Sequence, residues 1–186
     1  MFGKPRFEDF DRSRAAWRWR GQARPDFAEA PGPDQESVWD YPRPPSLEPV
    51  RAALRVQVGE TVVAETRRGL RICETASAPT YYFPLADVRM ELLEDQGPSS
   101  LCEWKGVAHV HHVRVEGALL RGAAWRYPEP WPGFELVAET MAFHPAHVRC
   151  FIGDEEVTAQ PGGLYGGWVT TKLAGPIKGG PGTGGW

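Results

Sequence analysis

Residues 102–106 place a thiol, a carboxylate, an indole and an ammonium group on consecutive positions of the chain. If this segment is a strand, its side chains alternate between the two faces, so Trp104 and Lys105 lie on opposite sides of a sheet. In a functional interpretation, Lys105 contacts an anionic ligand and Trp104 stacks on a ring. In a structural interpretation, Trp104 lies in the core, Cys102 packs as a small apolar side chain and Lys105 pairs with a surface carboxylate. Both interpretations remain open at this point.

Two further pairs of aromatic residues are able to add rings to such a site. Tyr81 and Tyr82 are consecutive in a strand-like run, so one faces the core and the other faces a groove or solvent. Trp125 and Tyr127 are two positions apart just before Pro128, so they share one face if this run is a strand. The alternative for each ring is packing in the core or at an interface. No catalytic residue is identifiable, and the predicted ligand-binding residues are Tyr81, Tyr82, Trp104, Lys105, Trp125 and Tyr127.

A pair of histidines followed by a glutamate is the feature most similar to a metal site. His109 and His111 share one face of a predicted strand, and Glu116 follows at a spacing that the cupin metal motif allows. Imidazole and carboxylate groups bind divalent transition metals. However, the glycine that opens the motif would fall at Glu103, and the later histidine element of the motif is absent. We therefore favour surface or cross-strand histidines, and predict no metal and no cofactor.

The central part of the chain, residues 51–158, has the periodicity of short strands. Leu54, Val56 and Val58 alternate with polar residues, and a glycine or proline ends most such runs. One short helix is predicted over residues 87–93. Many short strands with almost no helix predict a mainly β domain, built as an antiparallel sandwich or barrel.

The segments on either side, an N-terminal arm of residues 1–50 and a Gly-rich C-terminal strap of residues 159–186, contain many glycines and prolines. Their composition alone indicates flexible linkers. However, a tryptophan side chain buries about 150–250 Å², and disordered segments contain few aromatic residues. We therefore expect both segments to dock on the central domain, unless their tryptophans bind a partner protein. These tryptophans are Trp17, Trp19, Trp39, Trp168 and Trp186.

Charge and composition exclude several classes of partner. The formal net charge is −3, with no strongly basic segment, so we expect no nucleic-acid partner. No apolar run approaches the roughly 18 residues that span a bilayer, and the first ten residues do not resemble a secretory signal. Three widely spaced cysteines fit a reducing compartment, so we expect a cytoplasmic protein without a membrane partner.

Several runs resemble the bacterial family known as domain of unknown function 427: residues 71–84, 87–93, 102–106, 124–130 and 142–143. Both terminal segments look like those of longer, actinobacterial members. The resemblance implies β-tent antiparallel sheets of the Mss4-like kind, with a cleft between them that relatives use for small ligands or modified side chains. Many relatives of that fold hold zinc with two Cys-x-x-Cys knuckles. This chain has none, so a structural zinc of that kind is excluded by ligand count.

Three functions are consistent with the sequence. The first, which we prefer, is a small-ligand-binding β domain with an aromatic cleft and no established catalysis. The second is a non-catalytic interaction or assembly module that uses the tryptophan-bearing arms, through which the chain is able to form an oligomer. The third is a cupin-like metal enzyme that uses His109, His111 and Glu116.

Overall fold

The computed structural model describes residues 5–186, so the first four residues of the predicted N-terminal arm lie outside it. Helices are few and short in this part of the chain. They comprise the α-helix α1 (Asp11–Ala16) and 3-10 helices at Phe7–Phe10, Val38–Asp40, Leu85–Asp87, Met90–Leu92 and Glu135–Val137. None of the helices among residues 5–186 is long and apolar enough to cross a membrane.

Strands dominate the chain, which confirms the mainly β prediction. In chain order they are β1 (Glu36–Ser37), β2 (Ser46–Pro49), β3 (Leu54–Val58), β4 (Thr61–Thr66), β5 (Leu70–Cys73), β6 (Thr80–Pro84), β7 (Leu93–Cys102), β8 (Gly106–Val115), β9 (Ala118–Arg126), β10 (Thr140–Phe143), β11 (Arg149–Ile152), β12 (Glu155–Glu156), β13 (Thr158–Ala159), β14 (Trp168–Val169) and β15 (Leu173–Ala174).

The main sheet is a curled antiparallel sheet of seven strands in the order β2-β5-β6-β10-β9-β8-β7. A second antiparallel sheet has the order β12-β11-β3-β4, while β1 pairs with β15 and β13 pairs with β14. Strand β2 is an edge strand of the main sheet, although its residues fall in the segment expected to be an arm. The sheet therefore draws one of its strands from the N-terminal fifty residues.

The two faces of the main sheet carry separate apolar clusters. Because side chains alternate along a strand, Tyr81 and Phe83 of β6 pack towards the four-stranded sheet, whereas Tyr82 packs on the opposite face. The first cluster also contains Leu54 and Val63 of the four-stranded sheet. The face that carries Tyr82 is covered by chain termini and by a hairpin turn rather than by another sheet, and this is where the cavity described below lies.

The N-terminal and C-terminal segments pack against each other and against the sheets. Trp39 and Trp168 are both fully buried. The indole N–H of Trp39 donates to the carbonyl oxygen of Pro176 at 3.1 Å, and the rings of Trp19 and Trp186 lie 6.0 and 5.4 Å from the Trp39 ring. These contacts join the two ends of the chain in one apolar cluster.

Two local predictions are wrong. The helix expected over residues 87–93 is interrupted, because the N–H of Arg89 donates to the carbonyl of Val63 at 2.9 Å and Val88 bridges Ala64 of β4. The sequence analysis also missed β7, whose Gly97 and Pro98 are unfavourable in most strands. An edge position tolerates Pro98, and the register of β7 with β8 shifts on both sides of it.

Candidate functional site

A cavity of about 600 Å³ lies on the face of the main sheet that carries Tyr82. Four strands form its floor, with Ile72 on β5, Thr80 and Tyr82 on β6, Val110 on β8 and Trp125 on β9. This volume lies within the range of about 300–1,000 Å³ that is typical of small-molecule sites. The remaining walls come from the β7–β8 hairpin and from the two terminal segments.

Five of the six predicted ligand-binding residues line this cavity: Tyr82, Trp104, Lys105, Trp125 and Tyr127. The sixth, Tyr81, does not. It belongs to the opposite face of β6, where its ring centroid is 4.9 Å from that of Trp168. The alternation of side chains along one strand therefore separates the two tyrosines, and only Tyr82 is available to a ligand in the cavity.

Trp104 and Lys105 lie in the tight turn between β7 and β8, not on opposite faces of a strand as the sequence predicted. Strand β7 ends at Cys102, which pairs with Gly106 across the turn. Gly106 has φ +94°, a value that side-chain-bearing residues rarely adopt, and a Cβ there would lie 3.2 Å from the ring of Trp131. The turn breaks the alternation, so both side chains are buried and both line the same cavity.

Lys105 is a buried cation without a carboxylate partner. It is only 9% exposed, and none of the carboxylates in residues 5–186 lies within 4 Å of its Nζ atom. Burial lowers the pKa of Lys105, whereas negative charge on Cys102, Tyr127, Tyr82 and Glu74, when these groups are ionised, raises it, and the net direction is upward. The ammonium form of Lys105 is therefore the favoured one.

The two phenols beside Lys105 are neutral. Burial raises the pKa of Tyr82 to about 12, although the Lys105 ammonium acts in the opposite direction. Burial likewise raises the pKa of Tyr127 well above its ordinary value. The Nζ atom of Lys105 lies 5.6 Å from the centroid of the Tyr127 ring, an arrangement that partly stabilises the charge through the ring electrons. Neither phenol supplies a negative charge at neutral pH.

A second group of charges lies at the wall built by the terminal segments. Oε1 of Glu74 is 3.0 Å from Nε of Arg43 and 3.6 Å from Nζ of Lys178, so two cations share one carboxylate. Burial lowers the pKa of Lys178, and Glu74 opposes that effect. The ring of Trp17 lies beside both cations, at 4.1 Å from Cζ of Arg43 and 5.4 Å from Nζ of Lys178.

Glu103 attaches the N-terminal segment to the rim of the cavity. Its carboxylate accepts hydrogen bonds from Nε1 of Trp17 at 2.7 Å and from Oγ of Ser13 at 3.1 Å. Its backbone carbonyl accepts two more from the guanidinium of Arg14, at 2.6 and 2.8 Å. Glu103 is therefore fully engaged with the N-terminal segment.

Two buried nitrogen atoms on cavity-lining residues have no hydrogen-bond partner in the described part of the chain: Nε1 of Trp104 and Nε2 of His144. Nδ1 of His144 accepts the N–H of Ala146 at 3.2 Å, which places the imidazole proton on Nε2. Burial, with a smaller contribution from His147, lowers the pKa of His144 and keeps the ring neutral. Both unpartnered atoms are therefore hydrogen-bond donors.

The sequence analysis did not identify Trp17, His144, Gln160, Tyr165 and Lys178, which also line the cavity. These residues come from both terminal segments and from the loop after β10, far apart in the chain. No local spacing marks them, and the only signal was the presence of tryptophans in segments otherwise rich in glycine and proline.

The structure does not bring the three residues of the cupin-like hypothesis together. His111 is buried, with Nε2 at 3.9 Å from Asp95, whereas Glu116 lies in the β8–β9 turn and accepts a bond from Thr61 at 3.4 Å. At about 3.3 Å per residue, Glu116 is about 16 Å along the strand from His111. No group of three metal-binding side chains is found among residues 5–186.

We expect Cys102 to be the only cysteine that reacts quickly in the native protein. It is half-buried and lines the cavity, whereas Cys73 and Cys150 are fully enclosed. Burial raises the pKa of Cys73 to about 12 and also raises that of Cys150. Iodoacetamide should therefore modify one thiol in the native chain and three in urea, as measured by peptide mass mapping.

The matched control for this labelling is Cys102→Ser, which should remove the rapid modification and leave the slow reaction of the other two thiols. Rapid labelling of Cys73 or Cys150 in the folded wild type would contradict the burial described here.

Comparison with known proteins identifies the family. The chain matches the model of a domain of unknown function (DUF427) over residues 46–154. This region begins at β2 and ends after β11, so it contains the whole seven-stranded sheet and more than half of the chain. No curated protein gave a significant match. The chain therefore belongs to the DUF427 family of domains of unknown function.

Proposed function

We propose that this domain binds a small, ring-containing molecule in the cavity on the Tyr82 face of the main sheet. The observation that supports the proposal is the lining itself: a concave volume of about 600 Å³, open on one side and bounded by aromatic rings, with a small number of charged and polar groups. Sites for small molecules typically combine a largely apolar surface with a few polar groups that fix orientation. Flat rings stack favourably on tyrosine and tryptophan side chains.

The terminal segments are part of this proposed site. Trp17 and Ser13 reach the cavity from the N-terminal segment, and Tyr165 and Lys178 reach it from the C-terminal segment. Glu103 and Glu74 bond these segments to the central domain. These contacts support a role of the arms in completing a binding site.

We also propose a cytoplasmic location in a bacterium. The support is that Cys73, Cys102 and Cys150 are all free thiols. Unpaired thiols persist in reducing compartments.

The test is to fill the cavity. Val110 faces the cavity and pairs with Trp125 across β8 and β9, so Val110→Trp places an indole where the ligand would lie. We expect benzamide and indole to bind the wild type and to bind Val110→Trp at least about tenfold more weakly, because the space is occupied. Ligand-observed NMR titration of the full chain measures both affinities.

The matched control is Val62→Trp, which makes the same substitution at a half-buried position of β4 in the other sheet. It should bind both probes as the wild type does. Equal binding of the probes to the wild type and to Val110→Trp would show that they bind elsewhere, and would refute the proposed site.

A further inference from the structure

We propose that the ligand of this cavity is a small aromatic anion, whose carboxylate or phosphate group binds Lys105 while its ring contacts the aromatic lining. This inference rests on the proposed ligand-binding function and specifies the chemical class of the ligand.

The charge of Lys105 is isolated from the carboxylates of the described chain. A buried ammonium group normally has a carboxylate or several acceptors around it, because removing an ion from water costs several kcal/mol. Lys105 is 9% exposed, lines the cavity, and has no carboxylate within 4 Å among residues 5–186. The phenols of Tyr82 and Tyr127 beside it have raised pKa values and carry no charge at neutral pH. The structure therefore lacks the negative charge that this position favours.

Both carboxylates that line the cavity already have partners within the chain. Glu74 is shared by Arg43 and Lys178, so this group carries a net positive charge. Glu103 accepts two side-chain hydrogen bonds from neutral groups of the N-terminal segment, which leave its negative charge in place. With Arg43 counted behind the wall, three cations and two carboxylates surround the cavity, and Lys105 is the cation without a carboxylate beside it.

The experiment compares charged and neutral probes of nearly equal shape. Benzoate and phenyl phosphate carry the oxyanion, and benzamide is the neutral counterpart of benzoate. We expect at least one of the two anions to bind the full-length wild type about tenfold or more tightly than benzamide, because hydrogen bonds between charged partners are the stronger kind. The identity of the preferred anion distinguishes a carboxylate ligand from a phosphate ligand.

Substitution of Lys105 tests the assignment to that residue. Lys105→Met should abolish the preference, so that neither anion binds more tightly than benzamide, and Lys105→Arg should retain part of the preference. Lys172→Met, at an exposed lysine outside the cavity, is the matched control and should behave as the wild type. An unchanged preference in Lys105→Met would overturn the assignment.

The outcomes separate this inference from the proposed function. If benzamide binds the wild type as tightly as both anions, the cavity accepts rings without selecting charge, so the inference is wrong while the proposed function stands. If neither indole nor any of the three probes binds, both are wrong.

Discussion

Replacement of Arg43 by methionine is expected to lower the free energy of unfolding by about 3–5 kcal/mol, because it leaves buried partners unpaired. The guanidinium of Arg43 is completely enclosed. It donates to Oε1 of Glu74 at 3.0 Å and to the carbonyl oxygens of Trp19, Thr75 and Trp186 at 3.0, 2.9 and 3.3 Å. One side chain thus joins the N-terminal segment, the central domain and the last residue of the chain.

Urea denaturation followed by circular dichroism measures this loss. Arg43→Lys should recover only part of the stability, because a single ammonium group cannot reproduce the geometry of a guanidinium with several acceptors. The matched control is Arg24→Met, which removes an exposed arginine paired with Asp40 and should change the denaturation midpoint little. If the midpoint of Arg43→Met equals that of the wild type, the terminal segments are not held in the way described here.

Replacement of Trp168 by alanine is expected to cost about 3–5 kcal/mol, the usual range for removing a large aromatic side chain from a core. Trp168 is fully buried in the cluster between the two larger sheets, with ring centroids 4.9 Å from Tyr81 and 6.0 Å from Phe83. Its indole N–H donates to the carbonyl of Phe143 at 3.0 Å. The C-terminal segment thereby contributes a central side chain to the core of the family domain.

In the same denaturation assay, Trp168→Phe separates the contribution of the buried ring from that of the indole hydrogen bond. Phenylalanine fills much of the volume but leaves the Phe143 carbonyl without its indole donor, so its stability should lie between those of the wild type and Trp168→Ala. A loss below about 1 kcal/mol for Trp168→Ala would mean that the segment is peripheral to the core.

Local patterns were sufficient to predict most strands of the central domain, although not β7, and most of the aromatic lining. The alternation along β6 correctly put Tyr81 and Tyr82 on opposite faces of the sheet. The same alternation put Trp125 and Tyr127 on one face. These inferences succeeded because a strand fixes the direction of each side chain relative to its neighbours. The same rule failed at Lys105, where the three-residue turn before Gly106 replaces the assumed strand.

The remaining part of the site depends on long-range packing. His144 follows β10 and reaches the cavity because Ala142 pairs with both Tyr82 and Trp125 in the sheet. Lys178 reaches it only after the C-terminal segment has folded back, with its N–H bonded to the carbonyl of Ala76. Neither the position of His144 nor that of Lys178 produces a periodic pattern in the sequence, because each depends on contacts between residues that are distant in the chain.

The most direct test of the proposed cavity is a pair of crystal structures of the full chain, one grown with benzoate and one with phenyl phosphate. We expect the ring of at least one anion to lie on the main sheet among Tyr82, Trp125 and Tyr127, with an oxygen of its charged group within about 3 Å of Nζ of Lys105. A cavity that contains only ordered water or the protein's own side chains in both crystals, with the anions absent or bound on the outer surface, would contradict the account.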